Sequence, residues 1–132
     1  MTISEVSRVY DLTLDTLRYY ERVGMIPPVN RTQAGIRDYN EDDCKWVKLA
    51  KCMRSAGLPV EVMIEYVKLT QQGNGTILAR SELLKAQKKE LLKQKSAIDA
   101  TLEQLNYKID KYEVALETGV LSWGKKDVEE LK

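Results

Sequence analysis

From Thr76 to Thr118 the chain contains neither glycine nor proline, and this interval is rich in Lys, Leu, Glu, Gln and Ala. Those residues favour helix, so the spacing predicts one uninterrupted helix over 76–118. Apolar side chains recur every seventh position at Leu84, Leu91, Ile98, Leu105 and Tyr112, and a second row adds Leu102, Ile109 and Leu116. The two rows alternate as the d and a positions of a coiled coil, although Lys88 and Lys95 interrupt the earlier part of the a row. At ~1.5 Å per residue such a helix runs roughly 60 Å, longer than the rest of so small a chain could cover. The apolar seam therefore predicts self-association.

Glycine and proline punctuate the first 75 residues instead. Thr2 and Glu5 have the spacing of a capping box and open a helix through about Tyr10. Asp11-Leu12 makes a turn, after which Thr13 caps a second helix that Gly24 stops after Val23. Two prolines, a glycine and β-branched residues between Ile26 and Tyr39 suit a small hairpin or extended wing. Asn40 caps a helix carrying Trp46, Leu49, Ala50 and Met53, closed by Gly57; Pro59 begins another with Val62, Met63, Tyr66, Val67 and Leu69. Gln72 to Gly75 is a flexible joint. This gives three segments: 1–72, the helix 76–118 and a short tail 119–132.

Composition narrows the chemistry. The 132 residues include no His and only two Cys, which excludes a His-based metal site, a His general base and a disulfide framework. No stretch approaches the length of a membrane span and no signal peptide follows Met1, so a cytoplasmic protein without membrane contact is expected. No phosphate-binding glycine loop or paired carboxylates suggest an enzyme, and no cofactor is expected. The net charge of +1 decides nothing, but its distribution is informative: six of seven Arg lie at or before Arg54, and ten of fourteen Lys lie beyond Gly75. Arginine's planar fork suits phosphates and base edges, whereas lysines on a long helix form a solvated face.

Two short helices around a tight turn, followed by a wing, outline a winged helix-turn-helix. The candidate recognition helix carries Thr16, Arg18, Tyr19 and Arg22 as hydrogen-bond donors, while Leu14, Leu17 and Tyr20 face the core. The alternative is a surface helix whose arginines pair with Asp15 and Glu21. The fold class expected is mainly α, a winged helix-turn-helix followed by a long dimerisation helix in an antiparallel coiled coil.

The stretch from Leu14 to Pro28, LDTLRYYERVGMIPP, closely resembles the signature of the MerR family of bacterial transcription regulators. Arg31, Gly35, Arg37, Tyr39 and Asp43 resemble that family's wing and the start of its next helix, and Met53 to Pro59 its helix-pair junction. The resemblance covers about residues 1–70. It implies DNA contacts from Thr13, Thr16, Arg18, Tyr19 and Arg22, and phosphate contacts from Arg31, Arg37, Tyr39 and Arg54. Leu17 and Tyr20 would pack. Arg37 has the alternative of pairing with Asp38 or Asp42, and Arg54 that of complementing its helix dipole. The implied partners are palindromic double-stranded promoter DNA, a second copy of the chain and RNA polymerase. The implied mechanism is activation by bending and underwinding an over-long promoter.

The chain departs from the metal-sensing members, having no Cys beyond Cys52, and from the drug-sensing members, since Gly119–Lys132 is too short to enclose a drug. Trp123, with Val120 and Leu121, suits a plug on a partner subunit. The chain thus resembles the small branch without a ligand domain, linked to aldehyde, electrophile and nitrosative stress. Cys44 and Cys52 are eight apart on one expected helix, too far to bond to each other. Cys44 lies with Val47 and suits the core. Cys52 resembles that branch's single Cys, which implies a sensor thiol taking a small electrophile adduct; the alternative is an inert buried thiol. The competing function is a coiled-coil adaptor or anti-sigma-like protein without direct DNA binding.

Overall fold

The structure is a computed structural model, and it describes residues 1–123. The chain is mainly helical, in the order α1 (Ile3–Tyr10), α2 (Leu14–Val23), α3 (Glu41–Ser55), α4 (Val60–Gln71), a 3-10 turn (Asn74–Thr76) and α5 (Ile77–Thr118). It divides into two compact units, Met1–Lys88 and Lys89–Lys132. Among the described residues no helix is long and apolar enough to cross a membrane.

The ends of the short helices follow their capping chemistry. The Thr2 side chain accepts from the Glu5 amide while the Glu5 carboxylate accepts from the Thr2 amide, which closes the capping box of α1. Asp11 ends that helix in the left-handed region at φ 53°, a conformation Asp tolerates better than most side chains. Thr13 caps α2 by accepting from the Thr16 amide, and Gly24 stops it at φ 88°. Asn40 caps α3 in a second capping box with Asp43, and Pro59 precedes α4 without a side-chain cap.

Between α2 and α3 the wing is a narrow hairpin whose two arms meet in one bridge, Arg31 to Arg37; among the described residues there is no longer strand. Its tip turns between Thr32 and Gly35, whose amide donates to the Thr32 carbonyl at 2.9 Å. Below the bridge the Asp38 amide donates to the Asn30 carbonyl at 2.7 Å.

One apolar core lies in the N-terminal unit. Val6 of α1, Leu17 and Tyr20 of α2, Val47, Ala50 and Met53 of α3, and Met63 and Val67 of α4 are buried. Met25, Ile26, Val29 and Tyr39, from the two roots of the wing, join them. The wing is thus an extension of the core and not a loop laid over it.

α5 contrasts with this. It has 42 residues, about 63 Å at the usual rise, and none of its side chains is buried. Ile98, Leu102, Leu105, Ile109 and Tyr112 on the seam are each about half exposed, and Leu116 is 81% exposed. Beyond its end, Trp123 packs edge-on against Tyr112 at 5.8 Å, with the Lys108 ammonium 4.4 Å above the Trp123 ring. The aromatic side chain expected to plug a partner subunit thus has an apolar contact in its own chain. The remainder of the expected tail, 124–132, lies outside the described residues.

Candidate nucleic-acid interface

α2 presents two faces. Leu17 and Tyr20 point into the core, and the opposite face carries Arg18, Tyr19 and Arg22 to the exterior, with the exposed cap Thr13 and the half-buried Thr16 at the N-terminal turn. The Thr13 hydroxyl is engaged in capping and also donates to the Thr16 hydroxyl at 2.8 Å. Arg18 reaches Asp15 one turn back at 3.4 Å, an exposed pair that solvent screens and that contributes little to stability. The Arg22 guanidinium lies 5.5 Å from the centre of the Tyr19 ring. The outward face therefore holds two guanidinium groups and a phenol on one helix, with only weak internal competition for them.

The wing arginines are held differently. Arg37 donates from Nε to Glu21 Oε1 at 2.7 Å, while Arg31 Nη2 lies 3.7 Å from the same oxygen. The other Glu21 oxygen accepts the Val29 amide at 2.7 Å. Arg31 also donates to the Gly35 carbonyl at 2.9 Å across the wing. The Arg37 side chain is 26% exposed and that of Glu21 12%. Sequence spacing suggests Asp38 or Asp42 as the alternative partner of Arg37; the ion pair that forms is with Glu21, 16 positions earlier. Burial by itself raises the pKa of Glu21, but the Arg37 hydrogen bond, the Val29 amide and the two guanidinium charges outweigh it. The carboxyl is held below its ordinary range.

Tyr39 requires a correction. The resemblance implies a phosphate contact, yet the side chain is 1% exposed and its hydroxyl is enclosed, with no hydrogen-bond partner among the described residues. In this conformation Tyr39 is a core residue at the root of the wing. Burial raises the pKa of its hydroxyl, so the group stays neutral. The backbone explains its placement: its amide donates to the Met1 carbonyl at 2.8 Å, which ties the second arm of the wing to the N-terminus.

Arg54 is exposed and donates to the Leu58 carbonyl at 2.7 Å, closing the α3–α4 junction. Cys52 is exposed on the last turns of α3, between Lys51, whose ammonium donates to the Tyr10 carbonyl, and Arg54. Cys44 is half-buried against α1, where burial and the neighbouring Cys44 thiol raise the pKa of the Tyr10 hydroxyl. Both cysteines are free. Among the described residues no group of three or more His, Cys, Asp or Glu could hold a metal ion.

Sequence reasoning named Glu21 and Asp43 but missed that both carboxylates hold the wing. Asp43 is buried and its Oδ2 accepts both the Asn40 amide at 3.0 Å and the Asn30 amide at 3.1 Å, so the cap of α3 also anchors the first arm of the wing. Glu21 anchors the same arm one residue earlier, from α2. Its signal was present: Glu21 falls four residues after Leu17 on the core-facing stripe, where a charged group requires a partner from elsewhere in the chain.

The model of the MerR helix-turn-helix family of regulatory proteins matches residues 1–69, and the chain belongs to that family. The HTH-type transcriptional regulator AdhR of Bacillus subtilis is 50% identical over 92 residues, which are 70% of this chain and 66% of that protein. The chain thus matches just under two thirds of that relative's length. The crystal structure of a MerR family regulator of Listeria monocytogenes superposes with a TM-score of 0.86 at 35% identity, covering 99% of this chain and 96% of that one. That of HiNmlR, a MerR family regulator lacking the sensor domain and bound to promoter DNA, superposes at 0.81 and 27% identity, covering 91% of this chain and 95% of its own. The family is one of transcription regulators and not of enzymes.

Because the Glu21 carboxyl is held low, its ionised form stabilises the fold. That contribution is complete above the ordinary carboxylate value and is lost as pH falls through the lower folded value. Glu21→Gln is expected to unfold about 1–2 kcal/mol more easily than wild type at pH 7. The gap should stay constant down to about pH 4.5 and narrow below it. Urea titrations of both proteins between pH 7 and 3 measure it; a gap that widens on acidification contradicts the assignment.

Proposed function

We propose that this chain is a transcription regulator that binds a palindromic promoter element as a homodimer and activates by bending and underwinding the DNA between its half-sites. The observation that carries the reading is the outward side of α2: Arg18, Tyr19 and Arg22 are exposed along a helix whose other side is buried, with Thr13 and Thr16 at its N-terminal turn. An α-helix of this kind fits the major groove, and guanidinium forks and hydroxyls suit base edges and flanking phosphates. Arg31 on the wing and Arg54 at the α3–α4 junction add cations for the backbone. The likeness to HiNmlR, solved on promoter DNA, supports the same use of the fold.

Residues 1–72 act in this reading as the DNA-binding domain, 76–118 as the dimerisation helix and 119–132 as a tail. The seam of Leu84, Leu91, Ile98, Leu102, Leu105, Ile109, Tyr112 and Leu116 supports dimerisation, because a heptad-spaced apolar stripe on a helix of 42 residues is stabilised by a second helix and not by water. An antiparallel pair would hold two recognition helices at opposite ends of a rigid spacer. Deforming the DNA costs several kcal/mol, and phosphate contacts at both half-sites offset that cost before RNA polymerase engages.

Cys52 is the input in this proposal, a thiol that takes a small electrophile such as an aldehyde. Its exposure supports access, and its position beside Arg54 and the Leu58 turn supports transmission to the DNA-contacting side. A promoter reporter carrying Cys52→Ser should lose its response to sublethal aldehyde, while Cys44→Ser keeps it. A full response from Cys52→Ser would make the thiol structural.

Arg18→Ala should weaken specific binding by about tenfold or more in gel-shift titrations on a footprinted site, while Lys45→Ala, on an exposed turn of α3, changes it little. Equal losses from the two would remove α2 as the recognition helix. Ile98→Asp combined with Leu105→Asp buries two carboxylates in the seam and should yield monomers. Sedimentation of that double variant as a dimer at micromolar concentration would refute the coil.

A further inference from the structure

We infer that Glu21 is a positioning residue of the DNA interface and that Arg37 is its internal strut, not a phosphate contact; this rests on the DNA-binding reading above. The wing has a single bridge between its arms and, among the described residues, no sheet behind it, so nothing in its own ladder fixes its angle to α2. Glu21 stands on α2 between the two elements that a regulator of this shape must present together. One of its oxygens holds the Val29 amide on the first arm at 2.7 Å, and the other holds Arg37 Nε on the second arm at the same distance. A carboxylate bonded to both arms sets the distance between the recognition helix and the wing.

The geometry also separates the two wing arginines. Arg37 is three-quarters buried, and its Nε is committed to a carboxylate that is itself nearly enclosed. Transferring that guanidinium to a phosphate would leave Glu21 charged and short of a partner in a poorly solvated place, so the exchange is unfavourable. Arg31 lies 3.7 Å from Glu21, a looser contact, and its side chain is 44% exposed and more open to a phosphate. Glu21 thus turns one arginine inward to brace the wing while the other stays available.

Two consequences distinguish this from a direct phosphate role. If Glu21 were only a negative charge near DNA, its neutralisation would tighten binding; as a positioning residue, its neutralisation weakens binding. If Arg37 neutralised a phosphate, its removal would lower the salt slope by about 0.9. As a strut, its removal weakens binding at every salt concentration with the slope unchanged.

The experiment measures affinity of the full-length chain for a duplex carrying its footprinted site, across 50–300 mM salt, for wild type, Glu21→Gln, Arg37→Gln and Arg31→Gln. The expected result is a loss of about tenfold or more for both Glu21→Gln and Arg37→Gln with slopes equal to wild type, the size of one charge-assisted hydrogen bond. The double variant should be no weaker than either single one, because the two side chains act as one device. Arg31→Gln should lower the slope. Tighter or unchanged binding by Glu21→Gln, or a lower slope for Arg37→Gln, overturns the inference. Arg37→Gln leaves the Glu21–Val29 bond in place and decides the matter by its slope even if Glu21→Gln does not fold. A wild-type chain with no salt-dependent affinity for DNA would overturn the function itself, whereas wild-type binding with a lower slope in Arg37→Gln overturns this inference alone.

Discussion

The N-terminal unit depends on carboxylates that do the work of backbone pairing. A wing joined by one bridge has amides that no ladder satisfies, and those at its base would be costly to bury unpaired. Glu21 from α2 and Asp43 from α3 accept the consecutive amides of Val29 and Asn30, so each helix holds one residue of the same short segment. Asp43 does so while closing the capping box of its own helix, and Glu21 while pairing with Arg37. These contacts carry charge and direction as well as energy. The apolar core beneath them, with Val29 and Tyr39 as its wing residues, supplies burial but does not by itself orient a hairpin.

A different constraint governs α5. Its stability as an isolated helix is limited, since even good helix formers are only marginal without tertiary packing. Its seam is uncovered in the single chain, and a second copy offers a complementary partner without any new sequence. In the dimeric reading, folding of the seam and spacing of the two DNA-binding faces become the same event. The concentration at which the protein dimerises then also sets the concentration at which it recognises a palindrome.

The short-range features were legible in the sequence. Thr2 with Glu5, Thr13, Gly24, Asn40 and Pro59 each impose a local geometry through a side chain or a missing one, and each stands where its helix starts or stops. The α5 seam was legible for a related reason, since a seven-residue repeat is a statement about one helix. Long-range partners were not legible. Arg37 has acidic neighbours at Asp38 and Asp42, but it pairs with Glu21, because folding brings the wing back over α2 and makes the distant carboxylate the nearer one. The family resemblance implies a phosphate contact for Tyr39, yet its side chain is buried in the core at the root of the wing.

By itself, then, the sequence determined where helices begin and end, which face of α2 is apolar and that α5 carries a stripe too long to hide. All of these follow from interactions within a few residues or from a periodic pattern. The tertiary structure alone decided which arginine is braced and which is available, which carboxylates hold the wing, and that Cys44 is sheltered while Cys52 is exposed. Those depend on approaches between residues far apart in the chain, where desolvation and charge pairing act through distances that spacing along the sequence does not encode.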